Sequence, residues 1–286
     1  MLYRDYDQAG LDAQYNMRLQ NPDFQDHLDA WAERNAATRG RLDARLDLAY
    51  GSSMAETLDV FVPAGASDAP LHVFIHGGYW QSRDKHDFSF VADGLVAAGA
   101  IVVVVNYALA PTVGMDEIVR QNRAAVAWTR RHAGDFGGDE ERLYVSGHSA
   151  GGHLTAMLLA TDWPAFDGLP ADTVKGGLAI SGLYDLEAIR LCYLNEVLGM
   201  DAAAAARLSP LDMAPGSGAC IVAVGGGETD EFLRQSSSFA ERWRQAGATL
   251  EELVPPGHNH FTIMNLLADN DGTLCAAACR QMGLTG

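Results

Sequence analysis

A chain of 286 residues, 48% hydrophobic and 20% charged, has the apolar content of one sizeable core and too much of it for a disordered segment. Asp+Glu outnumber Lys+Arg by 37 to 20, a formal net charge of −17. A field of that sign repels phosphate backbones and anionic lipid, so neither nucleic acid nor a membrane surface is an expected partner.

Residues 1–45 read as a polar helical segment, with apolar residues three and four apart over Gln8–Leu19 and Asp26–Arg39, split by Asn21-Pro22. From Leu46 the texture changes to short aliphatic or β-branched runs that alternate with longer amphipathic stretches. Strands are expected at Leu46–Tyr50, Thr57–Val62, Leu71–His76, Ala100–Asn106, Leu143–Ser146, Gly177–Ser181, Ala219–Val224 and Thr249–Val254. Leu71–Ile75 and Ile101–Val105 are almost wholly apolar, as strands covered on both faces are. Met115–His132 carries acids in its first turn, bases in its last and Gly134 just beyond, the order favoured by the helix dipole and a left-handed cap. The excursion Asp185–Gly218, helical in pattern around Glu187–Leu198 and Ala202–Ala206, is long for a connection, and a lid insertion is expected there. The alternation predicts one α/β domain over 1–286.

The longest apolar stretch, Leu95–Val105, contains Gly99 and stops at Asn106, well short of the roughly 18 residues of a membrane span. Met1–Asp7 has no apolar core for a signal peptide. Cys192, Cys220, Cys275 and Cys279 form no C-x-x-C pair and read as small buried apolar residues, which suits a reducing cytoplasm.

Three stretches carry chemistry. Gly147-His148-Ser149-Ala150-Gly151 follows a strand and precedes a helical stretch over Ala150–Ala160, the context a nucleophile elbow needs. A serine at such a turn is strained and exposed, and the helix N-terminus behind it offers N–H groups to an oxyanion. His76-Gly77-Gly78-Tyr79-Trp80 ends an upstream strand, where backbone N–H groups of Gly77 and Gly78 join that of Ala150 as candidate oxyanion donors. His76 reads as a structural partner of that loop. Pro255–Phe261 follows the last strand and supplies the imidazole that takes the serine proton; His260 is preferred to His258. The carboxylate that fixes the imidazole tautomer should follow the seventh strand, where residue type leaves Glu228 and Asp230 open, with Asp185 and Glu231 behind them. The pairs His72/His76 and His258/His260 lack an accompanying carboxylate at ligand spacing, so no metal and no other cofactor is expected.

On these motifs the chain resembles an α/β-hydrolase of the esterase/lipase group and, more narrowly, the kynurenine formamidase (arylformamidase) branch. His76–Trp80 followed by Gln81, the early Leu11-Asp-Ala-Gln-Tyr-Asn16, Ser181-Gly-Leu-Tyr-Asp-Leu186 and the Glu231–Ser236 run are similar to that branch. Phe136–Asp139 with Arg142, and Gly147–Leu154, resemble the wider group. The resemblance implies an α/β-hydrolase fold, a mostly parallel doubly wound sheet of about eight strands with a small helical cap from the N-terminal segment and the insert. It also implies cleavage of a small ester or aryl formamide through an acyl-enzyme. The branch's acid lies three positions before the Glu231-Phe232 pair and seven before Gln235, which selects Glu228. Asp is usual there, and Gly227-Glu228-Thr229 lacks the proline of the branch's D-x-P pattern. The expected triad is then Ser149, Glu228 and His260, with Tyr79, Trp80 and the 185–218 excursion as the substrate wall. A homodimer is compatible with this reading. The rival functions are a general short-chain carboxylesterase and a non-catalytic small-molecule receptor, which would have lost part of the triad.

Overall fold

The apolar runs at the centre of the sequence become the centre of a sheet. In the computed structural model, which describes residues 1–284, the strands are β1 (Asp43–Ala49), β2 (Thr57–Val62), β3 (Ala69–Ile75), β4 (Ile101–Val105), β5 (Gly138–His148), β6 (Gly176–Ile180), β7 (Ala219–Ala223) and β8 (Leu250–Leu253). They form one eight-stranded sheet in the order β1-β2-β4-β3-β5-β6-β7-β8. β2 runs against both of its neighbours, and every other pair is parallel.

Side chains alternate across a strand, so β4 feeds two cores at once. Ile101, Val103 and Val105 join the cluster that contains Ile118, Leu154, Phe239 and Trp243, from the helices Met115–Arg131, Ala150–Leu159 and Asp230–Gln245. Val102 and Val104 join the opposite cluster with Trp31, Leu95 and Leu274, from Phe24–Arg41, Ala92–Ala97 and Thr273–Met282. Helices on both faces, with crossovers between parallel strands, make the doubly wound α/β-hydrolase architecture expected from the sequence.

The differences are local. Gln8–Leu19 is two helices, Gln8–Tyr15 and Met17–Gln20, because the Asn16 side chain accepts from the Leu19 N–H and starts the second one. The expected helix Glu187–Leu198 is broken into Leu186–Leu191 and Asn195–Leu198, where the Tyr193 N–H is captured by the Asp12 carboxylate at 2.8 Å. β5 begins at Gly138, five residues before the apolar pattern does, because Ala69 of β3 pairs with Gly138 across an irregular register. All four cysteines are buried free thiols. Among the described residues no helix is long and apolar enough to cross a membrane.

Candidate active site

β5 delivers Ser149 at its carboxyl end. The residue has φ +59° and ψ −118°, and the helix Ala150–Leu159 starts directly after it. Its N–H donates to the Ile180 carbonyl at the end of β6, at 2.8 Å, which pins the turn between two strand ends. The turn also brings the helix hard against β3: a Cβ added at Gly151 would lie 2.0 Å from the Ile75 carbonyl oxygen. Only a glycine permits that approach.

The loop after β3 lies over the same point. A Cβ at Gly77 would stand 3.0 Å from the Ser149 Cβ. Gly78 has φ +106°, and Tyr79, Trp80 and Arg83 also hold positive φ, so strain is concentrated in this one loop. Among the described residues the N–H groups of Gly77, Gly78 and Ala150 have no backbone acceptor. His76 braces the loop as expected of a structural residue. Its Nδ1–H donates to the Gly77 carbonyl at 2.8 Å and its ring stacks on Tyr107 at 4.2 Å. Burial holds its pKa down at about 4, so it stays neutral.

The turn after β8 presents His260, whose Nδ1 lies 2.7 Å from Glu228 Oε2. A carboxylate only accepts, so Nδ1 carries the hydrogen and Nε2 is left as the basic nitrogen. The other carboxylate oxygen, Oε1, accepts from Ser181 Oγ at 2.5 Å and from the Gly225 N–H at 2.8 Å. Glu228 is therefore held from both sides, with its side chain fully buried. Ser181 had no assigned task in the sequence. It lies one residue beyond β6, and the rule that ligands gather at the carboxyl ends of parallel strands would have found it.

The other carboxylates go elsewhere. Asp230 is exposed at the start of its helix. Asp185 accepts from Tyr3 at 2.5 Å, and buried Glu231 accepts from Tyr15 at 2.9 Å and pairs with Arg234. His258 is half-buried and contributes its carbonyl, which accepts from the Gly227 N–H at 2.9 Å. His148, beside the serine, packs its ring 4.5 Å from that of His260. Burial, then the neighbouring imidazole, drives its pKa well below the ordinary value.

Ser149, His148 and His260 open into a cavity of about 400 Å³. Tyr79 lines it, and its hydroxyl donates to the Tyr15 carbonyl at 2.7 Å. Trp80, expected on the same wall, is instead fully buried in the core, edge-on to His153 at 5.0 Å. A left-handed backbone at both Tyr79 and Trp80 turns the second ring inward. From the 185–218 excursion, Tyr193 and Leu194 reach the cavity. Much of the remaining wall comes from the N-terminal part of the expected cap, through residues that no motif singled out: Met17, Arg18, Phe24, Leu28 and Trp31. Among the described residues, no group of three or more His, Cys, Asp or Glu could hold a metal.

Comparison with known proteins bears on the family and the fold. A family model described as BD-FAE matches residues 58–173. The kynurenine formamidase of Salmo salar is 36% identical over 95% of this chain and 93% of its own length. That of Danio rerio is 35% identical over 90% and 88%. A crystal structure of a thioesterase candidate from Silicibacter sp. TM1040 superposes with a TM-score of 0.83 at 32% identity, covering 93% of this chain and 97% of that one. With that likeness over nearly its whole length, the chain is a hydrolase that belongs to the kynurenine formamidase family of α/β-hydrolases.

Proposed function

We propose that the protein is a serine hydrolase that cleaves a small aryl formamide, or an ester of similar shape, through an acyl-enzyme on Ser149. The observation that supports this most is the His260–Glu228 pair at 2.7 Å, opening into the same cavity as a serine on a strained elbow. His260 Nε2 takes the hydroxyl proton as Ser149 Oγ attacks the carbonyl carbon. The negative charge that develops on the carbonyl oxygen is met by the N–H groups of Gly77, Gly78 and Ala150, each worth about 3–4 kcal/mol of barrier. His260 then gives its proton to the leaving aryl amine or phenol, and the C–N or C–O bond breaks. Water, deprotonated by His260, attacks the acyl-enzyme and releases formate or another small acid with free Ser149. Residues 185–218 act as part of the cover over this site, through Tyr193 and Leu194.

The aromatic wall, with Trp31, Tyr79, Phe88 and Phe261, suits a flat aryl group and favours the formamidase reading. Turnover of N-formylkynurenine and of 4-nitrophenyl acetate by wild type and Ser149→Ala tests it. Both activities should fall by about a millionfold in the variant. Equal rates in the two proteins would leave a binding protein on a hydrolase fold, and a negligible formamide rate beside fast ester cleavage would leave a carboxylesterase.

A further inference from the structure

Tyr15, the last residue of the helix Gln8–Tyr15, is tied to three parts of the site at once. It is fully buried, and its hydroxyl donates to Glu231 at 2.9 Å and accepts from Gln235 at 2.7 Å. Beside it, the Gln14 carbonyl accepts from the Thr229 hydroxyl at 2.9 Å, and the Gln14 side-chain oxygen accepts from the Glu231 N–H at 3.1 Å. Gln14 and Tyr15 are thereby fixed to the chain that directly follows Glu228. The Tyr15 carbonyl lies in the last turn of its helix, where carbonyls have no intrahelical donor. Two phenols fill that role, Tyr79 at 2.7 Å and Tyr193 of the 185–218 excursion at 3.4 Å.

Tyr79 follows Gly78 in the stretch where Gly78, Tyr79 and Trp80 hold φ of +106°, +51° and +58°. A left-handed run with two non-glycine residues persists only where contacts hold it. On its near side the His76 ring holds the Gly77 carbonyl at 2.8 Å, and on its far side the Trp80 carbonyl accepts from the Ala110 N–H at 2.8 Å. Between these points, among the described residues, the Gly78 carbonyl accepts only from within the loop. Its donors are the N–H groups of Gln81 and Ser82 at 3.1 Å and the Ser82 hydroxyl at 3.0 Å. The Tyr79 hydroxyl ties this middle stretch to another element. Burial pushes that phenol well above the ordinary range, so it keeps its proton and remains a donor.

Resting on the hydrolase reading above, we propose that Tyr79 is a positioning residue for the oxyanion donors. Through its bond to the Tyr15 carbonyl it holds the Gly77 and Gly78 amides in register with the chain that carries Glu228. Donors act on an oxyanion only where the charge develops, and a displacement of about 1 Å costs about a hundredfold in rate. A contact that merely lines the cavity changes the binding of substrate and transition state alike, whereas one that aims donors acts on the transition state alone. The hydroxyl carries this role and the ring does not. Tyr79→Phe therefore removes the tie and leaves the aromatic surface of the cavity in place.

The test compares wild type with Tyr79→Phe in kcat and KM for 4-nitrophenyl acetate and in inhibition by phenylboronic acid. That inhibitor binds by forming a bond from Ser149 Oγ to boron; the hydroxyl proton passes to His260, and a boronate oxygen occupies the oxyanion position. In the variant kcat should fall about tenfold or more, the boronate inhibition constant should rise by a similar factor, and KM should stay within about twofold. A second arm needs no variant. Phenylboronic acid bound to wild type should slow amide hydrogen exchange about fivefold in Gln8–Tyr15 as well as in 77–83, although no residue of Gln8–Tyr15 lines the cavity. If wild type turns over and Tyr79→Phe matches it in kcat and boronate affinity, the inference is overturned and the hydrolase reading stands. A KM that rises in step with the boronate constant makes Tyr79 a wall contact and likewise overturns it. Should Tyr79→Phe fail to fold, slowed exchange confined to 77–83 in wild type overturns it. A wild type with neither turnover nor a boronate adduct overturns the hydrolase reading, and this inference with it.

Discussion

Glu228 uses its two oxygens for different tasks. One orients the His260 ring, and the other is anchored by the Ser181 hydroxyl and the Gly225 N–H. Glu228→Gln replaces an oxygen with an NH2 group that cannot accept, so either the anchor or the ring contact is lost. The expected result is a fall in kcat of about a thousandfold or more. Asp230→Asn, at an exposed helix start, should change kcat by less than about twofold. Steady-state kinetics on both variants checks the pair, and the reverse order would put the acid at Asp230. Residue type alone left these two open in the sequence, for a definable reason. The Glu228 N–H bonds back to the Gly225 carbonyl at 3.0 Å, a turn that returns Glu228 to the strand end while Asp230 is carried outward on the next helix. Composition does not reveal a turn of that kind. The task of Ser181 is hidden in the sequence for a similar reason, because its contact with Glu228 spans 47 positions of chain.

At the level of elements, the site depends on how closely the helix Ala150–Leu159 can approach β3. Gly151→Ala would set a methyl group 2.0 Å from the Ile75 carbonyl oxygen, backbone that cannot step aside. Stability should drop by more than about 2 kcal/mol, or the chain should fail to accumulate as a folded protein. Gly134→Ala is the matched control, since a Cβ there meets nothing within 4 Å. Urea denaturation of both variants checks this, and equal midpoints would mean the approach is not rigid. The strands of this layer were legible because period-two alternation and continuous apolar runs report burial directly, as in β3 and β4. The walls of the cavity were not. Amphipathic spacing in Phe24–Arg41 says that Trp31 is buried but not that Phe24, Leu28 and Trp31 also face the site. Trp80 shows the converse: its place beside the candidate oxyanion loop suggests a substrate contact, and the backbone twist sends it into the core.

For the whole molecule, several histidines are folded in as neutral groups. Burial lowers His72, His76 and His153 from an ordinary value of 6.5 to about 4, and lowers His148 in the same direction. The unfolded chain takes up protons at these positions as the pH falls below about 6.5, while the folded protein does not until about 4 at His72, His76 and His153. Their contribution to stability is therefore fully present above the unfolded value and is lost progressively across that window as the pH falls. The urea midpoint near pH 5 should lie clearly below that near neutrality. His72→Gln, which keeps a polar partner for Ser146 without a titrating ring, should flatten part of the slope. An unchanged midpoint across the window would show that these imidazoles are not kept neutral by burial.

The acyl-enzyme reading requires one hydroxyl to become covalently loaded in each turnover. Intact-protein and peptide mass spectrometry after reaction with an organophosphate such as diethyl 4-nitrophenyl phosphate tests it most directly. We predict a single diethylphosphoryl group, located on Ser149, with activity lost in proportion to labelling and no label in Ser149→Ala. Full activity in the completely labelled protein, or a label carried on another residue while Ser149 stays free, would contradict the account.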